Sequence, residues 1–387
     1  MIVRIFFCLL FLLLFSNAHA QPQKKSVPKN WFLLDPETDS VQGVSAEKTY
    51  NTLLKGQPSK TILVAVIDSG IDIDHEDLKN IIWTNEKEIA GNGVDDDKNG
   101  YIDDVHGWNF IGGKNGNVNA DTYELTREYM RLDKKFASID TNKLNKKLAA
   151  EFASYKKIKD KYTKLKAKNE QQYTLHSNMY RNVRQSVDTI KARLKTDKLT
   201  PDLVKNFEST DVRLLFAKGF ILNMYKNAGD DADIEEFIGQ VKEGVDYYEV
   251  IVKYGYNRDF DSRQIVGDNY SNLYERGYGN SDVKGPDPTH GTHVAGIIGA
   301  DRKNDIGIKG IADNVKLMPI RAVPNGDERD KDIANAIIYA VDNGAKIINM
   351  SFGKSFSPEK EAVDKAVRYA EMKGVLLIHA AGNDGDN

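Results

Sequence analysis

Ile62-Leu63-Val64-Ala65-Val66-Ile67-Asp68-Ser69-Gly70 is the stretch that decides the fold. Its apolar residues, most of them β-branched, run without a polar interruption. They therefore cannot alternate a wet face with a dry one, and read as a strand buried on both faces of a parallel sheet. Asp68 falls where that strand ends, and Ser69-Gly70 is a credible turn. Reacting groups in open α/β sheets gather at this carboxyl edge, so an acid here is placed for chemistry as well as for capping a turn.

The second informative stretch, His290-Gly291-Thr292-His293-Val294-Ala295-Gly296, begins 222 residues after Asp68. Val294, Ala295, Ile297 and Ile298 are apolar, while Gly291, Gly296 and Gly299 are small. That composition predicts a helix packed tightly beneath a site, with His290 in its first turn facing the strand end. A serine hydroxyl is a poor nucleophile and needs a base within hydrogen-bond reach, plus a third group that fixes the base's tautomer. Histidine suits the part because its reference pKa is about 6.5. An Asp after a strand is usually only a turn residue, and a lone His usually a surface or core one. The two together, Asp first and His second, point to nucleophilic catalysis. A third stretch, Gly374-Val375-Leu376-Leu377-Ile378-His379, reads as another buried strand and runs into Ala380-Ala381-Gly382-Asn383.

These motifs together resemble the subtilisin family of serine proteases. The resemblance implies an α/β fold, a parallel sheet with helices on both faces, and polypeptide substrates. It makes Asp68 the orienting acid, His290 the base and Asn383 the donor to the tetrahedral oxyanion; removing such a donor costs about 3 to 4 kcal/mol in subtilisin itself. Lys346 to Gly353 resembles the strand on which an extended peptide adds through backbone hydrogen bonds. Ser351, Phe352 and Gly353 would form one wall of the primary specificity pocket, and Ala380, Ala381 and Gly382 the other; Ser351 is not the expected nucleophile. Asn304 to Ala312, leading into the strand Val315 to Ile320, resembles the family's connection after the His helix. The likeness covers residues 31–118 and 256–387.

The family's nucleophile lies in a Gly-Thr-Ser-Met-Ala type motif downstream of the oxyanion Asn, and no Gly-Thr-Ser occurs in this sequence. The expectation is thus the front part of a serine endopeptidase cut short before its serine, with a sheet incomplete on its C-terminal side. Loss of the nucleophile costs about 10⁶ in turnover in subtilisin, so such a chain would be nearly inert. The strand Val375 to Ile378 would keep an open apolar edge. A different class of function, a catalytically inactive peptide-binding module or pseudo-protease, is the alternative. A calcium-dependent structural protein is a third.

Asp95-Asp96-Asp97-Lys98-Asn99-Gly100-Tyr101-Ile102-Asp103-Asp104 sets oxygen ligands at alternating positions before a Gly, much as an EF-hand loop does. Like charges this dense repel one another and favour a cation. Asp95, Asp97, Asn99 and Asp103, with the Tyr101 carbonyl and Asp104, are the predicted ligands of a structural calcium. His106 stands where an EF-hand has its bidentate Glu, and no flanking helix pair is evident.

Met1 to Ala20 carries an early Arg4, the apolar Ile5 to Phe15, and small residues before Gln21, the pattern of a cleaved signal peptide. Its apolar core is short of the ~20 residues of a membrane span, so no stable anchor is expected. Cys8, the only cysteine, lies inside it, and the mature chain would hold no disulfide. Export to the periplasm, cell surface or exterior follows. A net charge of −3 implies no polyanion partner, and no basic arm, phosphate loop or stacking motif suggests nucleic acid or nucleotide; the basic face of the Lys-rich stretch reads as a solvated one.

Between the Asp and His motifs the composition turns Lys-rich and nearly free of proline, and helical periodicity appears. Leu144, Leu148, Phe152, Tyr155, Ile158, Tyr162 and Leu165 recur at steps of three or four, as do Met179, Val183, Val187, Ile190 and Leu194. Thr200-Pro201 starts a further helix, and Ile234 to Val252 carries another stripe. The expected organisation is a signal peptide (1–20), the first part of a catalytic domain (21–118), a helical insertion (119–255) and the continuation of the catalytic domain (256–387).

Overall fold

Ile62–Asp68 forms β1, the middle strand of a parallel sheet in the computed structural model, which describes residues 27–140, 144–383 and 385. The expected signal peptide lies outside the described residues. The chain divides into two units, residues 1–58 and 59–387. In the first, a 3₁₀ turn at Trp31–Leu33 precedes α1 (Ala46–Asn51). There the Asp35 carboxylate accepts from the Thr38 amide at 2.9 Å and from Lys48 Nζ at 3.1 Å, which holds it well below the usual carboxylate range.

The second unit holds the sheet. Its strands are β1, β2 (Trp108–Asn109), β5 (Val315–Arg321), β6 (Ile347–Met350) and β7 (Leu376–His379); β3 (Gly112–Gly113) and β4 (Gly116–Asn117) make a separate antiparallel pair. The order across the sheet is β2-β5-β1-β6-β7, with every neighbouring pair parallel. Alternate residues of β1 serve two cores. Ala65 and Ile67 join Met318, Ile320 and Ile348 beneath two helices, Asp330–Asp342 and Lys360–Met372, whereas Val64 and Val66 join Val315, Leu317 and Ala295 of the helix Thr289–Gly299. Helices thus cover both faces, and burial on both faces is why β1 contains no polar residue before its end.

The segment from Glu124 to Gly255 is mostly helical, as its periodicity predicts. It comprises α2 (Glu124–Phe136), α3 (Lys146–Leu194), α4 (Pro201–Asn206), α5 (Val212–Ala228) and α6 (Ile234–Val250), which runs into a π-helical turn at Ile251–Gly255. The two stripes read as separate between Leu144 and Leu194 are one helix of 49 residues, about 73 Å long at 1.5 Å per residue. Neither Gly nor Pro interrupts it. Asn145 starts it, accepting the Leu148 amide at 3.0 Å, and Lys195 in the left-handed conformation ends it. Thr200 likewise caps α4 through the Leu203 amide, with Pro201 at its first position.

Two separate cores hold these helices. Tyr129, Leu132, Phe136, Tyr155, Tyr162, Ile251 and Tyr256 form one, and Val187, Ile190, Val204, Leu214, Ile221 and Ile238 lie in the other. Past the π turn come α7 (Arg263–Val266), α8 (Thr289–Gly299), α9 (Asp330–Asp342) and α10 (Lys360–Met372). A buried ionic cluster ties this return segment to α9. Lys331, wholly buried, reaches Asp268 at 2.5 Å and Glu275 at 2.7 Å, and Arg263 reaches Asp332 at 2.8 Å.

Among the described residues no helix is long and apolar enough to cross a membrane. The strand expected over Gly374 to His379 is shorter and less buried than its composition suggests. Leu376 and Ile378 are 56% and 46% exposed, because β7 is an edge strand among the described residues.

Candidate active site

Asp68 is the last residue of β1 and almost fully buried. Its carbonyl accepts the amides of Ala322 and Val323 beyond β5, at 3.0 and 3.2 Å, so the strand end is fixed from the neighbouring strand. Its side-chain Oδ1 accepts the Ser69 amide at 2.8 Å. His290 is the second residue of α8, and its Nδ1 lies 2.7 Å from the same Oδ1. The chain can bring them together only because residue 291 lacks a side chain: a Cβ there would collide with the Gly70 carbonyl and press on Asp68. Two further bonds hold helix to turn, Ser69 Oγ to the Asp287 carbonyl at 3.1 Å and the Asp72 amide to Thr292 Oγ1 at 2.9 Å. The His290 side chain is 62% exposed. In the tautomer whose Nδ1–H donates to the carboxylate, Nε2 carries a lone pair directed away from Asp68, the form a general base requires.

The next strand over, β6, ends at Met350, in register with Ile67, and the chain continues irregularly through Ser351-Phe352-Gly353. The predicted extended segment thus keeps ladder pairing only as far as Met350. Ala380 leaves β7 with its amide on the Met350 carbonyl at 3.0 Å. Between these exits lies a cleft of about 650 Å³ lined by Ser351, Phe352, Gly353, Ala380, Ala381, Gly382 and Asn383, together with Lys354, Ser355 and His379. All six predicted wall residues and the predicted oxyanion donor therefore line one depression. His379 joins them by packing edge-on to Phe352, with ring centroids 5.9 Å apart; its place in the sequence had suggested only a strand terminus. Ser351 Oγ accepts from Asn349 Nδ2 at 3.0 Å.

The acidic loop is organised differently from an EF-hand. Asp95 and Asp97 lie with Glu88 so that one oxygen of each is within 4.8 Å of the others, a donor set of three carboxylates suited to a hard cation such as calcium. Glu88 precedes the run by seven residues and was invisible to the spacing argument; its oxygens also accept the amides of Asp97 and Asp103. Asn99 Oδ1 accepts the Tyr101 amide at 2.8 Å, and its Nδ2 donates to Asp104 at 3.0 Å. Asp103 turns its carboxylate to the amides of Asn92 and Gly93. Asp104 is buried, accepts the Tyr339 hydroxyl at 2.6 Å, and burial pushes its carboxyl up to about 6. The Tyr101 ring packs in the core, where burial raises its phenol to about 12.

Curated serine proteases are similar to part of this chain. The chain is 37% identical over 151 residues to the thermophilic serine proteinase of Bacillus sp. (strain AK1), covering 39% of this chain and 33% of that protein. It is 40% identical over 98 residues to thermitase of Thermoactinomyces vulgaris, covering 25% and 34%. With the major intracellular serine protease of Bacillus subtilis (strain 168) it shares 41% over 127 residues, covering 32% and 38%. The chain thus spans about a third of the length of the curated relatives it matches. The sequence model of the subtilase family matches it from residue 59 to residue 387, and the chain belongs to the subtilase family.

Proposed function

We propose that this chain carries the acid, the base and the oxyanion donor of a serine endopeptidase acting on extended polypeptides. The observation that carries the reading is the 2.7 Å contact between His290 Nδ1 and an Asp68 carboxylate fixed at the carboxyl end of a buried parallel strand. In this reading Asp68 orients His290, and His290 Nε2 takes the proton of a serine from a Gly-Thr-Ser motif outside the present sequence. Asn383 donates to the oxyanion, and Ser351 to Gly353 with Ala380 to Gly382 receive the side chain next to the scissile bond. Export through Met1 to Ala20 and a structural calcium at Glu88, Asp95 and Asp97 complete the proposal.

A fluorophosphonate probe tests it on two polypeptides: the 387-residue chain, and the product of the source reading frame carried through a Gly-Thr-Ser motif. The longer product is expected to be labelled and the shorter not. His290→Ala should abolish labelling, and Asp68→Asn should lower turnover by about 10⁴, the loss seen when a serine protease's base is deprived of its orienting acid. A longer product that holds peptides but never reacts would make this a non-cleaving peptide binder instead.

A further inference from the structure

The largest fully buried side chain among the described residues is a cation without an anion beside it. Arg321, the last residue of β5, is 1% exposed. It stands across from Asp68 in the β1–β5 register and from Asn109 in the β2–β5 register. Its guanidinium is used on neutral acceptors: Nε donates to the Ser69 carbonyl at 2.8 Å, one Nη to Asn109 Oδ1 at 3.2 Å, and the other to the Val118 carbonyl. Burial pushes the group down to about 10, opposed by the more distant charges of Asp282 and Asp287. A Cβ on residue 285 would collide with Arg321 Nε, so the chain leading to α8 closes over the guanidinium.

Desolvating a cation without pairing it is costly, a cost that an apolar residue of similar length would not carry. The partner residue suggests what the cost supports. Ser69, whose carbonyl Arg321 holds, is the residue whose amide holds Asp68 Oδ1, the oxygen that contacts His290. Asp68 Oδ2 is buried with no hydrogen-bond partner. A guanidinium bonded directly to that carboxylate would compete with His290 for it. Set one residue away, it supplies positive potential and leaves the carboxylate oxygen to the imidazole.

We propose that Arg321 is a positioning residue of the Asp68–His290 pair, fixing the Ser69 turn with its fork and placing a buried positive charge behind it. The proposal rests on the reading of that pair as catalytic. The other charged groups at this corner are Asp282, Asp287 and the ion pair of Lys284 with Asp72 at 2.9 Å, and none is altered in the variants below.

The test is proton NMR of the 387-residue chain, following the titration of the His290 ring and the exchange of its Nδ1 proton. In Arg321→Gln the titration midpoint should move up by about half a pH unit or more, since a removed positive charge favours imidazolium. Nδ1 exchange should quicken by about tenfold as the turn loosens. Arg321→Lys keeps the charge and loses the fork, so its midpoint should stay within about 0.2 unit while exchange still quickens. Unchanged titration and exchange in folded Arg321→Gln would overturn the proposal. If that variant does not fold, Arg321→Lys decides, an unchanged exchange rate overturning it. Asp68→Asn separates the two readings: if it leaves His290 unaffected, the catalytic pairing itself falls; if it acts and the Arg321 variants do not, only the role of Arg321 falls.

Discussion

At the scale of single residues, charge in this protein is buried in places where burial itself sets the chemistry. Glu328, beyond β5, is 5% exposed, and burial pushes its carboxyl up to about 7. Because the folded value lies above that of a free carboxyl, the native state holds the proton between about pH 4.5 and 7. The associated stability is therefore fully present below that window and lost as pH rises through 7. Glu328→Gln should remove this loss. Thermal unfolding of the variant should match the wild type near pH 4 and exceed it above pH 8, by an amount on the order of 3 kcal/mol. Parallel pH profiles would show that folding does not shift the Glu328 carboxyl. Lys331 behaves oppositely, being buried but paired with Asp268 and Glu275. Lys331→Met takes the cation from Glu275 and leaves Asp268 with Arg263 alone, and is expected to cost about 3 to 5 kcal/mol in urea unfolding. An unchanged midpoint would assign the cluster no part in holding the return segment to α9.

At the scale of elements, β7 and the acidic loop carry the clearest consequences. β7 presents Leu376 and Ile378 to solvent along the edge of the sheet, the arrangement that promotes strand-to-strand association. Ile378→Lys in the 387-residue chain should reduce self-association in sedimentation without loss of helical signal. Equal association of variant and parent would place the sticky surface elsewhere. In the loop, calcium at about a hundred times its dissociation constant should stabilise the fold by about 2.7 kcal/mol, seen as a rise in Tm that a chelator reverses. Glu88→Gln and Asp97→Asn should each weaken that rise, whereas Asp103→Asn, whose carboxylate serves the amides of Asn92 and Gly93, should weaken it less. If Asp103→Asn proved the most damaging, the EF-hand-like spacing would describe the loop better than its folded geometry.

At the scale of the whole second unit, a parallel sheet and a helical segment with cores of its own share one chain. Ile221 is wholly buried in the core far along α3 from the aromatic cluster of Tyr129 and Tyr155. Ile221→Ala is expected to cost about 2 to 5 kcal/mol locally. Hydrogen exchange should quicken in α5 and α6 and stay unchanged in β1 and β5; equal loss of protection in the sheet would mean that the unit opens as one body. Local periodicity determined much of this architecture. The run Ile62 to Asp68, the helix after His290, the Thr200-Pro201 start and the apolar stripes were legible because each is a pattern within a few turns or one strand. The meeting of Asp68 with His290 was legible only through motif order, since contact across 222 residues leaves no local trace. Glu88, His379 and Arg321 were not legible at all. Glu88 joins Asp95 and Asp97 because the loop folds back, His379 reaches the cleft because β7 pairs with β6, and Arg321 faces Asp68 because β5 pairs in parallel with β1. Sequence by itself determined the central strand, the helix after His290, the long apolar helical stripes and which residue types carry the chemistry, because propensity and burial pattern act locally. Strand register and loop closure decided which charges lie within bonding distance, and those exist only once the sheet has formed.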